Sequence, residues 1–168
     1  NGFPHFTSGY DYPGPHQGNF CNNGIITADR AWTSKLTEVK KVYQYAKFTY
    51  VDGILYVDNK YNFTNLDEYT LRYSVLCNGK VVEEKRVSMP SVNPGATDTI
   101  PLSIATSFES GKEYVVNVEL LKKNSEDWCD AGYPIAYEQF IIKERANLST
   151  VVADGKSLQL STNNGYAV

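Results

Sequence analysis

Residues 69–80 read YTLRYSVLCNGK. Tyr69, Leu71, Tyr73, Val75 and Cys77 alternate with Thr70, Arg72 and Ser74. A period of two places the first set on one face of a strand and the second on the other. Asn78-Gly79 follows directly, and such a pair tolerates positive φ at both positions of a tight hairpin. The same alternation returns at Tyr114, Val116, Val118 and Leu120, set against Glu113, Asn117 and Glu119. Asp52-Gly53, Pro94-Gly95 and Ser110-Gly111 add further turn signals. Together they predict strands at 46–51, 54–63, 69–78, 80–89, 97–102, 113–123 and 135–143.

About seven short strands in this arrangement point to an all-β fold, an immunoglobulin-like β-sandwich. The Cys…Trp…Cys spacing of antibody domains is missing, so the inference extends to architecture alone. The 13 tyrosines suit strands, where aromatic rings pack on a half-buried pleated surface.

Working outward, two other zones flank the sandwich. Residues 1 to about 31 are rich in Gly, Pro, Asn and His and read as irregular loop. The segment 32–44, WTSKLTEVKKVYQ, reads as one short helix. Trp32, Leu36, Val39 and Tyr43 follow the rhythm of a single buried stripe. Thr33 or Ser34 is the expected N-cap, and Glu38 sits three residues from both Lys35 and Lys41. Residues 146–168 carry an Asp154-Gly155 turn between short apolar runs. The expected organisation is therefore 1–45, 46–145 and 146–168. Starting at Asn1 and stopping at Val168, the chain reads as a piece of a longer protein.

Bulk properties exclude some functions. A formal net charge of −3 with no basic cluster argues against a nucleic-acid surface. Lys40 and Lys41 form an isolated pair. No apolar run reaches the roughly 18 residues of a membrane span. Cys21, Cys77 and Cys129 are odd in number and form no CxxC pair, which disfavours zinc and leaves the disulfide state and compartment open.

Candidate chemistry is sparse. A glycosidase needs two carboxylates flanking the scissile bond, and Asp11, Asp29 and Glu38 are the only early acids. Asp29 beside Arg30 fits a structural ion pair better than a catalytic role, and Asp11 in its Pro/Gly loop fits a turn former. Ser8, Asp11 and His16 can be written as a triad but lack a nucleophile-elbow motif. His5 and His16 make a poor metal pair. Asn62-Phe63-Thr64 and Asn147-Leu148-Ser149 match the glycosylation pattern. The stretch 18–30, GNFCNNGIITADR, differs in kind. Its asparagine and carbonyl oxygens are hard, neutral donors suited to hard cations rather than zinc, and they also form Asx turns. Phe20 is either a sugar-stacking ring or a core anchor.

These residues carry a resemblance. GNFCNNGIITADR followed by KLTEVKKVYQ resembles the end of the catalytic barrel in glycoside hydrolase family 2 β-galactosidases. The matching positions are Phe20, Cys21, Asn23, Gly24, Ile25, Ile26, Asp29, Arg30, Leu36, Glu38, Lys40, Tyr43 and Gln44. NKYNFTNLDEYTLRYSVLCNGKVV resembles the start of the sandwich that follows the barrel, and WCDAGYPIAYEQFII resembles its end. The resemblance covers roughly residues 6 to 145, and ANLS at 146–149 looks like the linker into a last β-domain. Upstream, SGYDYPGPHQG departs from the family's acidic run, with His16 and Gln17 in its place, and WTSK at 32–35 lacks the usual prolines.

The resemblance implies a parent enzyme that hydrolyses terminal β-galactosides with retention, using two glutamates on a barrel of about 250 residues. Those glutamates would precede Asn1, so the fragment itself carries no catalytic residue. It implies that the Phe20 carbonyl and the Asn23 side chain help hold a sodium ion beside the sugar, with magnesium also expected in the parent. It implies partnership with the rest of the enzyme; apart from that barrel, the 32–44 helix leaves Trp32, Leu36 and Val39 without their original partner, so the helix is expected either to fold back on the sandwich or to pair with another copy. The alternative is a stand-alone immunoglobulin-like carbohydrate-binding or adhesion module.

Overall fold

The computed structural model describes residues 13–15, 24–27 and 29–146, together with the backbone of 162–163 and 166–167. Among the described residues one helix, α1 (Ser34–Val42), precedes seven strands. These are β1 (Ala46–Val51), β2 (Ile54–Asn59), β3 (Tyr69–Cys77), β4 (Lys80–Ser88), β5 (Thr97–Pro101), β6 (Tyr114–Lys122) and β7 (Pro134–Lys143). A 3₁₀ turn, Leu66–Glu68, leads into β3, and β8 (Thr162–Asn163) pairs with β9 (Tyr166–Ala167). The first seven strands form two antiparallel sheets, ordered β1-β2-β5 and β4-β3-β6-β7. The fold is the all-β sandwich of seven strands with one short helix that the alternation predicts.

The turn chemistry sets the register. Asp52 (φ 48°) and Gly53 (φ 85°) close β1 on β2 with Val51 opposite Ile54. Asn78 (φ 47°) and Gly79 (φ 80°) close β3 on β4 with Cys77 opposite Lys80. Both central residues of each turn lie in the left-handed region, which matches the right-handed twist of the flanking strands.

The core lies between the sheets. Phe48, Leu55, Val57 and Ile100 come from one sheet, and Leu71, Tyr73, Val116, Val118, Leu120 and Ala136 from the other. At roughly 1.5–3 kcal/mol for each fully buried large apolar side chain, this layer is the main stabilising term. On the outer face Arg72 and Glu119 are register partners, joined by a 2.6 Å ion pair.

Two expectations need correction. The strand expected over 54–63 ends at Asn59. Asn59 is 2% exposed, and its amide donates to the carbonyls of Thr64 (2.9 Å) and Val92 (2.8 Å). Its oxygen accepts from the Tyr61 N–H at 2.9 Å. Three bonds from one buried amide turn the chain out of the sheet, leaving Phe63 exposed. The helix is also shorter than 32–44, and none of its residues is buried. The expected stripe is not a core stripe: Trp32 and Tyr43 are 58% and 72% exposed, and Leu36 and Val39 are half-buried. The helix meets the sandwich through its lysines instead. A strand edge offers unpaired N–H and C=O groups, which polar side chains satisfy and apolar ones do not.

Candidate functional site

The loop before α1 is a compact hydrogen-bonded unit. The Thr27 hydroxyl donates to the Asp29 carboxylate. The Ala31 N–H reaches both Thr27 Oγ1 (3.0 Å) and Asp29 Oδ1 (3.3 Å), and the Arg30 N–H donates to the Thr27 carbonyl at 2.9 Å. Hydrogen bonding from Thr27, then from Ala31, holds the Asp29 carboxyl below its usual range. Asp29 therefore organises a turn, and its charge is stabilised by hydroxyl and amide donors rather than by the expected partner Arg30. Arg30 itself takes φ 65°.

Thr33 fastens this loop to the helix. Its oxygen caps α1 by accepting from the Leu36 N–H at 3.4 Å, while its hydroxyl donates to the Ile25 carbonyl. Of the two expected caps, Thr33 is the one used. Lys35 reaches the Gly24 carbonyl at 3.4 Å. Gly24 and Ile25 of the asparagine-rich stretch are thus anchored to the first turn of α1.

The end of α1 is fastened to β7. Lys41 Nζ donates to the Tyr137 carbonyl (2.6 Å) and pairs with the Glu138 carboxylate (2.8 Å). Gln44 Oε1 accepts the Tyr137 N–H at 3.1 Å. Two side chains thereby occupy the backbone donor and acceptor of one edge residue, as a neighbouring strand would. Lys40 donates to the Tyr133 hydroxyl at 3.1 Å and lies 4.2 Å from its ring centroid. This contact spans 93 residues of sequence and joins the two separate motif segments, KLTEVKKVYQ and WCDAGYPIAYEQ.

A belt of rings and charges continues from there. Trp128 meets Tyr133 edge-on, with centroids 5.5 Å apart. The Trp128 indole N–H donates to Glu126 at 2.7 Å, Glu126 pairs with Lys122, and Lys122 lies over Tyr69. Tyr69, Tyr61 and Tyr45 then stack, at 6.0 and 5.0 Å between centroids. Burial raises the pKa of the Tyr61 and Tyr69 phenols, which stay neutral. Periodicity gives no sign of this belt, because its members come from four separate segments.

Phe20 and Asn23, the expected pocket and sodium residues, lie outside the described residues, as do Ser8, Asp11, His5, His16, Cys21 and Asn147. Among the described residues no group of three or more His, Cys, Asp or Glu could hold a metal. Cys77 and Cys129 are free thiols. Glu119 and Glu138, on neighbouring strands, are each paired to a cation, Arg72 and Lys41. Two carboxylates held this way differ from the acid and nucleophile pair of a glycosidase. Among the described residues no helix is long and apolar enough to cross a membrane.

A family model described as β-galactosidase, domain 4, matches residues 55–143, just over half of the chain. The chain belongs to the β-galactosidase domain 4 family. This domain-4 chain is 39% identical over 154 residues to a β-galactosidase of Priestia megaterium, covering 89% of the chain and 15% of that relative. It is 32% identical over 142 residues to a β-galactosidase of Clostridium acetobutylicum, covering 84% of the chain and 16% of that relative. A third β-galactosidase, from Lactobacillus delbrueckii subsp. bulgaricus, is 32% identical over 122 residues, which is 73% of the chain and 12% of the relative. The matched family segment begins within β2 and ends with β7, so α1 and its loop lie outside it. The domain-4 sandwich and the α1 junction are accordingly two features, joined by Lys40, Lys41 and Gln44.

Proposed function

We propose that this chain is the junction and sandwich portion of a bacterial glycoside hydrolase family 2 β-galactosidase. In this reading residues 1–45 end a catalytic barrel, 46–145 form an immunoglobulin-like domain, and 146–168 lead into a further β-domain. The observation that carries it is the α1–β7 contact: two segments that resemble the same family far apart in sequence meet through Lys40–Tyr133, Lys41–Glu138 and Gln44–Tyr137. The relatives are much longer than the regions matched, which fits a part acting within a larger chain. The sandwich buttresses the barrel exit, and the hydrogen bonds among residues 24–27 and 29–35 fasten the chain that follows Phe20 and Asn23, the two residues this reading assigns to the sugar pocket.

The catalytic glutamates belong to another part of the parent, which cleaves terminal β-galactosides with retention through a glycosyl-enzyme intermediate. The chain alone is inactive. Phe20, through its carbonyl, and Asn23, through its side-chain oxygen, would offer a sodium ion in the parent two neutral oxygens, a donor type suited to a hard cation. The binding-module alternative gives α1 and its fastened loop no role, so it ranks second.

The test compares the 168-residue chain with the product of the complete gene on a chromogenic β-galactoside. The complete protein is expected to hydrolyse it with retained anomeric configuration, followed by NMR, and the chain alone to release nothing. Hydrolysis by the chain alone, or none by the complete protein, would overturn the reading. Asn23→Ala in the complete protein is expected to raise KM and blunt the response to sodium.

A further inference from the structure

We propose that Trp128 is the platform of a saccharide-binding site, taking the apolar face of a pyranose ring. Trp128 is 62% exposed, yet its ring is held by Glu126 and Tyr133. Its N–H donates to Glu126 at 2.7 Å, and Glu126 is itself paired with Lys122. The backbone closes the turn beneath it in both directions, Glu126 N–H to Cys129 carbonyl (2.8 Å) and Cys129 N–H to Glu126 carbonyl (3.2 Å). Tyr133 meets the indole at an interplanar angle of 79°, and Lys40 holds Tyr133 in turn. A large exposed ring fixed this firmly loses little further freedom on binding, which lowers the cost of capture.

The surroundings select the ligand class. Asp127 and Asp130, one and two residues from Trp128 along the chain, are exposed, and the Glu126 carboxylate that accepts from the indole belongs to a side chain 42% exposed. The Lys40 ammonium and the Tyr133 hydroxyl lie at the indole's Tyr133 side. A flat apolar protein partner would strip water from these charges without replacing the hydrogen bonds, a cost that disfavours it. A pyranose matches both parts of the surface. Its C–H face covers the ring, while its rim of hydroxyls donates to the carboxylates and accepts from the lysine and phenol. Recognition of this kind joins a rigid aromatic surface to a few placed polar groups. The choice of a galactoside as first probe rests on the proposed glycosidase reading of the parent; the platform itself does not.

The experiment titrates the ¹⁵N-labelled 168-residue chain with lactose and follows its two indole N–H signals, assigned with Trp32→Phe. The Trp128 signal is expected to move saturably and the Trp32 signal to stay. Trp128→Ala is expected to weaken binding about tenfold or more, the loss of about 1.4 kcal/mol or more that is typical for an aromatic anchor. Trp128→Phe keeps a ring and is expected to retain most of the affinity, which separates stacking from misfolding. Glu126→Ala removes the acceptor of the indole N–H and is expected to weaken binding by freeing the ring. No saturable shift, or an equal affinity in Trp128→Ala, overturns the proposal. So does an indole in the complete protein that neither quencher nor sugar reaches, since polypeptide then covers it. Binding at Trp128 without galactoside hydrolysis by the complete protein would instead defeat the glycosidase reading and leave this site standing.

Discussion

Lys41 Nζ sits 2.8 Å from the Glu138 carboxylate and 2.6 Å from the Tyr137 carbonyl, so one ammonium satisfies both a charge and a strand edge. With Gln44 on the Tyr137 N–H, the exposed edge of β7 is closed to other strands at that residue. Blocking an edge in this way also guards against aggregation.

Lys41→Met should therefore loosen α1 more than it destabilises the sandwich. The side chains of the pair are 28% and 34% exposed, so its loss should cost the whole fold only about 1 kcal/mol or less. Hydrogen exchange at the amides of α1 and at Tyr137 should rise clearly. Unchanged exchange there would mean that the ammonium does not hold the helix.

Asn59 should be among the least replaceable polar residues. Asn59→Asp would set a carboxylate against the carbonyls of Thr64 and Val92, with no proton to give them at neutral pH. Leaving buried groups unpaired should cost about 2–4 kcal/mol, read from urea denaturation. A cost under about 0.5 kcal/mol would show that the turn after β2 is held by other contacts.

Glu83 should set part of the acid sensitivity. Burial would raise its pKa, but hydrogen bonds from the Thr106 hydroxyl, the Ala105 and Thr106 amides and Lys85 outweigh it and bring the pKa to about 2 from 4.5. A carboxylate with a lowered folded pKa stabilises the protein above its ordinary pKa and loses that contribution as pH falls. The window is thus about 4.5 down to 2. Denaturation midpoints of Glu83→Gln should fall less steeply across it than those of the parent chain, and should lie lower at pH 7. Parallel profiles would refute the assignment.

The exposed apolar residues at the end of α1 and flanking it should drive association of the isolated chain. Trp32, Val42 and Tyr43 are 58%, 62% and 72% exposed, and large apolar side chains left in water favour contact with a second copy. Sedimentation should show concentration-dependent association that Trp32→Ser with Val42→Ser reduces. A single monomer species at every concentration would contradict this.

The strands were legible because their information is local. Alternation at Tyr69–Cys77 and Tyr114–Leu120 fixes which side chains face inward, and Asp52-Gly53 and Asn78-Gly79 fix the register of two hairpins within one residue. The ion pair expected between Asp29 and Arg30 gives way to hydrogen bonds from Thr27 and Ala31, which adjacency in sequence does not reveal. The end of β2 was not legible, because a single buried amide at Asn59 outweighs the β-propensity of Tyr61 and Phe63 once Val92 is near. The face that α1 presents was misread for a related reason. Helical periodicity reports that Trp32, Leu36, Val39 and Tyr43 share a side, but not what lies beside the helix.

The sequence by itself thus determined the sheet elements, their tight turns and the order of the family motifs. Only the tertiary structure decided that Lys40, Lys41 and Gln44 meet Tyr133, Tyr137 and Glu138, and that Trp128 stands exposed but fixed above Glu126. Periodicity and turn propensity act over a few residues, whereas unpaired backbone groups and charges choose partners by position in space.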